Sequence, residues 1–232
     1  MRRTLVTGTN RGLGLEFVRQ LLVRGDRVLA ACRKPEGATA LNALARAHPS
    51  QLQVHRVEMA DAESIAALTA EATRSFDGLD LLVNNAGMTV RGERFGTVAG
   101  DAMLEALRTN AVGPFLLAQS LAPLLAKGSA PVVANISSQL GSIARTASFY
   151  TPSYAVSKAA LNMASVLLAR AVAGAGVCVV AFHPGWVQTD MGGTGAPLAA
   201  PEAVEGMLRV IGRLKPEDNG RFLDHQGQPM PW

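Results

Sequence analysis

Short apolar, β-branched runs alternate with longer segments of helical periodicity along all 232 residues. That alternation restricts the fold more than any other feature of the chain. The runs lie at 4–8, 27–32, 51–57, 79–87, 131–137, 176–185 and 220–224. Helical spacing between them predicts helices over 14–24, 61–76, 101–126, 153–173 and 201–213, with Asp61 capping the second and Pro201 opening the last. Strands that take turns with helices build a parallel sheet covered on both faces. Runs that are apolar throughout, rather than at every second residue, fit burial on both sides. The expected fold is therefore α/β: a seven-stranded, mainly parallel sheet with helices on both faces. The longest loops are expected at 33–40, 88–100, 139–153 and 190–200. With 48% hydrophobic and 17% charged residues the chain is too apolar for a disordered one, and 5% aromatics favours close helix-on-sheet packing. No repeat or linker interrupts the pattern, so residues 1–232 are expected to form one domain.

The first strand runs into "VTGTNRGLGLEF", with Gly8, Gly12 and Gly14 before the first helix. Glycine allows a tight turn and lets backbone amides approach a pyrophosphate, while the helix N-terminus adds partial positive charge. A strand-helix turn that merely prefers glycine competes with this interpretation; the strand before and helix after favour a dinucleotide site. Asn10, Arg11 and Leu13 lie in the same turn. The second strand ends at Cys32, followed by Arg33 and Lys34, where NAD-binding sites carry an acid for the ribose hydroxyls. Without that acid a 2′-phosphate is not repelled, and Arg33 can grip it, with Arg11 within reach. NADP(H) is the preferred cofactor, with NAD(H) still possible. Solvated loop charges are the plainer account of Lys34.

Other function classes find little support. The net charge of +4 is spread along the chain, not clustered as nucleic-acid binding requires. Cys32 and Cys178 sit in apolar runs and read as buried small hydrophobes; neither has a C-x-x-C partner, so no metal site is expected. No apolar run looks long enough to span a bilayer, and the N-terminus turns glycine-rich too early for a signal peptide. A cytoplasmic protein without a membrane partner is the simplest expectation.

"YAVSK" at 154–158 sets Tyr154 and Lys158 four residues apart on a predicted helix. That spacing alone is common. Together with "TGTNRGLG" at 7–14, "NNAG" at 84–87, Asn110 in "RTNAVGP", "NISSQLGS" at 135–142 and "HPGWVQTDM" at 183–191, it resembles the short-chain dehydrogenase/reductase family. Six motifs stand in the family's order over essentially the whole chain. Within the family, "HPGWVQTDMGG" and "GRFLDHQGQPMPW" look like the C-factor-like group, near the sniffer-type carbonyl reductases. The resemblance implies a single doubly wound Rossmann domain, with the cofactor site mainly in 1–140 and the catalytic and substrate elements mainly in 138–205. It also implies a catalytic quartet of Asn110, Ser138, Tyr154 and Lys158, with Ser137 as runner-up to Ser138 and Tyr150 a possible pocket wall.

By the same resemblance Asn84, Ala86 and Gly87 lie along the adenosine and ribose side, Asn84 also steadying the sheet. Pro184, Gly185, Val187 and Thr189 face the nicotinamide; Tyr154 and Lys158 serve the cofactor as well as the chemistry. The family's Asp-Val after the third strand is replaced by Glu58-Met59 followed by Asp61, either carboxylate being able to take the adenine amino group. His183 is expected to be structural. The interval from Ser138 to Tyr154 is longer than in many relatives, and the segment after Thr189 is short and rich in Gly and Ala, which implies an open site.

The implied reaction interconverts a small-molecule carbonyl and an alcohol by hydride transfer. Tyr154 is the acid/base, Ser138 orients the substrate oxygen and Asn110 supports a proton relay. A neighbouring ammonium and an oxidised nicotinamide are both expected to lower the Tyr154 pKa. A C-factor-like nucleotide-binding signalling or regulatory protein is the alternative. The family's habit of pairing the helices near 101–126 and 153–173 implies a homo-dimer or homo-tetramer.

Overall fold

The computed structural model describes residues 1–232. Seven strands form one sheet: β1 (Arg3–Thr7), β2 (Arg27–Cys32), β3 (Leu52–Arg56), β4 (Leu81–Asn84), β5 (Val132–Ile136), β6 (Cys178–His183) and β7 (Phe222–Asp224). Their order is β3-β2-β1-β4-β5-β6-β7, and every pairing is parallel. The chain winds outward from β1 to β3, then restarts at β4 on the other side of β1. Ligands of such sheets bind at the carboxyl ends of the two strands flanking that reversal, here β1 and β4.

Successive strand residues face opposite sides. Val6, Leu81, Val83, Ala134 and Phe182 join α1 (Gly12–Val23), α2 (Thr39–Ala47) and α7 (Ala200–Ile211) in one core layer. Leu5, Leu82, Val133 and Val179 join α3 (Ala62–Ser75), α5 (Gly113–Leu125) and α6 (Pro152–Val172) in the other. Asp61 caps α3 as expected, its Oδ1 accepting from the Glu63 amide at 3.0 Å.

Four expectations are corrected. The predicted helix over 101–126 is two, α4 (Gly100–Leu107) and α5, joined by a π-helical turn at Arg108–Val112. α2 was not among the expected helices; it is short and buries only Leu41, so its periodicity is weak. Cys178 is half-buried rather than fully buried. Finally, α6 and the turn after it, Pro152–Ala175, form a 24-residue run long and apolar enough to cross a membrane, although no such run was expected. This helix packs on the sheet through Leu168 and Ala169 and buries Ser157, Lys158, Leu161, Asn162 and Ser165, the pattern of a core helix.

Candidate active site

The glycine turn closes the carboxyl end of β1. Gly8 has φ 71°, and a Cβ there would lie 2.7 Å from the Ala86 Cα. A Cβ on Gly14 would overlap the Gly8 carbonyl. The turn is pinned to the end of β4 by Asn85, whose Nδ2 donates to the carbonyls of Thr7 at 2.9 Å and Gly8 at 3.1 Å. The Thr7 hydroxyl accepts from the amides of Asn85 and Ala86, both at 3.1 Å. Gly12 (φ 56°) faces Thr189 across the cleft: a Cβ there would sit 3.4 Å from its methyl. Asn10 is exposed and Leu13 half-buried at the head of α1.

Arg33 is exposed at the end of β2, its Nε 4.0 Å from Glu58 Oε2. Two basic residues, not an acid, come directly after Cys32. Arg11 is turned away toward Asp190, its guanidinium 2.6 Å from Oδ2, with both side chains exposed. Met59 is core, and Asp61 is used as the α3 cap, which leaves Glu58 as the open carboxylate. The Asn84 side chain lies within the sheet, donating to Asn135 Oδ1 at 2.8 Å, with its own Oδ1 buried and unpartnered. Its sheet role is present, but the side chain that touches the glycine turn is that of Asn85.

The four quartet positions converge beside this cradle. Asn110 sits fully buried in the π-helical turn, a deformation frequent at functional sites. Its Oδ1 accepts from the Met88 amide, while its Nδ2 donates to the Met88 carbonyl, each at 2.8 Å, and to Ser157 Oγ at 2.9 Å. Ser157 donates to the Tyr154 carbonyl at 2.7 Å. A Cβ on Gly87 would meet Asn110 Oδ1 at 3.3 Å and Lys158 Nζ at 3.6 Å. Lys158 is buried; its Nζ donates to the Ile136 carbonyl at 2.8 Å and lies 5.6 Å from the Tyr154 ring centroid.

Ser138 caps the short turn Gln139–Gly141, its Oγ accepting from the Leu140 amide at 3.1 Å. Its proton is thereby left to donate elsewhere. Ser137 points inward and donates to Asn162 Oδ1 at 2.6 Å, so Ser138 is the serine that faces Tyr154.

Burial pushes the Tyr154 phenol up to about 12, with the Ser138 hydroxyl pulling the other way. Burial also draws the Lys158 ammonium down to about 8. The protein alone therefore does not lower the phenol's pKa as expected. Loss of hydration outweighs an ammonium whose donor is aimed at a carbonyl rather than at the phenol oxygen.

The segment after β6 forms the far wall. Pro184 is buried and Gly185 turns at φ 88°. Val187 is buried and bridges to Leu198, closing a loop that Trp186 Nε1 braces on the Gly192 carbonyl at 2.8 Å. His183 Nδ1 accepts from the Gln139 amide at 3.2 Å. Burial, then the neighbouring His225, lowers its pKa to about 4, which marks a neutral structural ring. Tyr150 is 63% exposed on the loop before α6.

The residues present fit a nicotinamide dinucleotide. The cradle at Gly8 and Gly14 has no space for side chains, the turn opens a helix N-terminus, and the β2 end carries an exposed guanidinium where a 2′-phosphate would lie. Asn85, Ser157 and Asp190 were not singled out from the sequence. Asn85 lies inside the "NNAG" motif and Ser157 inside "YAVSK", so both could have been; the Arg11 to Asp190 pair carries no signal in spacing.

The short chain dehydrogenase family profile matches residues 2–196. The C-signal protein of Myxococcus xanthus is 43% identical over 154 residues, which is 66% of this chain and 93% of that protein. Among solved structures, the NADPH-bound carbonyl reductase from chicken fatty liver superposes with a TM-score of 0.94 at 39% identity, covering 100% of this chain and 99% of that one. The carbonyl reductase Sniffer of D. melanogaster superposes at 0.95 with 34% identity over 100% of both chains. The parallel sheet, the glycine turn at its switch point and this match over most of the length lead to one conclusion: the chain belongs to the short chain dehydrogenase family.

Proposed function

We propose that the protein is an NADPH-dependent oxidoreductase that interconverts a small-molecule carbonyl and an alcohol. The observation that carries this is the convergence of Tyr154, Lys158, Ser138 and Asn110 at the mouth of the glycine cradle. The NADPH- and NADP-bound relatives support the cofactor. A bound nicotinamide supplies or takes the hydride. The protein's task is then to manage the oxygen and its proton.

Ser138 directs its free O–H at the substrate oxygen and holds it against Tyr154. Tyr154, kept protonated by burial, delivers its proton to that oxygen as negative charge builds there. The phenolate so formed is stabilised by the Lys158 ammonium, 5.6 Å from the ring centroid. Lys158, its ammonium drawn down to about 8 by burial, passes a proton back toward Tyr154. Asn110 fixes the Met88 backbone and Ser157 around this pair, and supports the route from Lys158 to solvent. Residues 1–140 mainly hold the cofactor and 138–205 the reacting groups, within one domain. Arg33 takes the 2′-phosphate; Arg11 can join it only by leaving Asp190.

The C-signal relative favours a second account, a nucleotide-binding signalling protein with little turnover. Carbonyl turnover that depends on Tyr154 separates the two. Exposed Leu104, Val112, Val156, Met163 and Leu167 lie on α4, α6 and the turn between α4 and α5, and we propose that this face pairs two copies of the chain.

A further inference from the structure

α6 carries Tyr154 and Lys158, yet it begins without a cap of its own. Its N-cap residue, Thr151, is a β-branched residue in the left-handed region (φ 42°, ψ 58°) and makes no side-chain capping bond. Its hydroxyl is buried without a partner, and no acidic residue lies in the first turn of the helix. A helix start of this kind leaves amides unpaired next to the proposed proton donor.

The missing acceptor arrives from 60 residues away. Glu93, in the loop 88–97, accepts from the Ser153 amide through Oε2 at 3.2 Å and from the Ser153 hydroxyl through Oε1. Ser153 is fully buried and immediately precedes Tyr154. A carboxylate there also complements the positive end of the helix. The same loop is held at its root, where Asn110 brackets the Met88 backbone, and Phe95 meets Phe149 edge-to-face at 5.7 Å. The 88–97 loop is thus tied to α6 at the residue before Tyr154.

We propose that Glu93 is a positioning residue: it caps α6 through Ser153 and so sets the place of the Tyr154 phenol when the 88–97 loop lies over the site. This inference rests on Tyr154 being the proton donor. The chain has two tyrosines, so in a Tyr150→Phe background the ultraviolet phenolate absorbance reports Tyr154 alone. In that background Glu93→Ala and Glu93→Gln would be compared by phenolate titration, by kcat and KM with an α-diketone probe, and by NADPH binding. Gln keeps an oxygen for the Ser153 amide; Ala keeps nothing.

For Glu93→Ala the expected result is a kcat loss of roughly tenfold to a hundredfold, the scale of a small misplacement of a reacting group. KM and NADPH affinity should hardly move, and Tyr154 should titrate at lower pH than in the parent because water reaches it. Glu93→Gln should restore both rate and titration. A Glu93→Ala protein that matches the parent in both would overturn the inference, as would a Glu93→Gln protein that fails as badly as Glu93→Ala. If the parent reduces no carbonyl at all, the proposed reaction is wrong, and the titration alone decides the role of Glu93.

Discussion

Two effects pull on the Tyr154 phenol in opposite directions, and in the protein alone burial is the stronger. Direct titration checks this. With Tyr150 replaced by Phe, the remaining phenolate absorbance should appear near pH 12 and not near the ordinary value of about 10; an ordinary titration in the folded protein would mean the phenol is solvated. At the cofactor end, Arg33 is proposed to set the choice of nucleotide by charge, and this is tested directly. Cys32→Asp with Arg33→Ala removes a charge-assisted contact of about 1.5–3 kcal/mol and adds a repulsion. The ratio of NADH to NADPH affinity should rise by at least roughly tenfold, read from binding of each cofactor, and unchanged selectivity would remove Arg33 from the site.

The elements around these residues show what periodicity reveals and what it hides. Most of the strands were legible because a strand buried on both faces is a short, continuous apolar run bounded by turn residues, too brief for a helix; β3, which buries only Leu52, was legible from its place in the strand-helix alternation. α2 was not, since it buries one residue and follows a loop broken by Pro35 and Gly37. The π-helical turn was hidden because apolar spacing continues across it, although Asn110 stands in it. Motif residues were legible as types, but their partners were not: Asn110 to Ser157, Glu93 to Ser153 and Arg11 to Asp190 join residues 47 to 179 apart, and no local pattern encodes such pairs.

The turn Gln139–Gly141 that carries Ser138 leans on His183, and this gives a pH dependence. The His183 pKa falls from 6.5 in the unfolded chain to about 4, so the unfolded state binds the extra proton between those values. Stability should therefore rise as pH increases from about 4 to 6.5, by up to about 3 kcal/mol from this group. His183→Gln keeps an acceptor for the Gln139 amide and should flatten that slope in denaturant titrations across the range; an unaltered slope would assign it to other groups.

At the scale of the whole molecule, the winding order puts the glycine cradle and the residues proposed to react on one edge of the sheet. The strand reversal between β1 and β4 opens the crevice, and Asn85 ties its two sides together. The π-helical turn before α5 brings Asn110 to its mouth, and α6 brings Lys158. The exposed apolar residues of α4 and α6 belong to this scale too. Light scattering should give the mass of two or four chains, and Met163→Glu with Leu167→Glu should shift it to one; a monomer at the outset would refute the pairing. The central claim is the reaction itself. The most direct test is NADPH consumption with a panel of aldehydes, ketones, diketones and quinones, run for the wild type and Tyr154→Phe with NADH in parallel. The account predicts turnover with at least one carbonyl, faster with NADPH, lost by roughly a thousandfold in Tyr154→Phe while NADPH still binds. Tight NADPH binding with no turnover on any carbonyl, or turnover that survives in Tyr154→Phe, would contradict it.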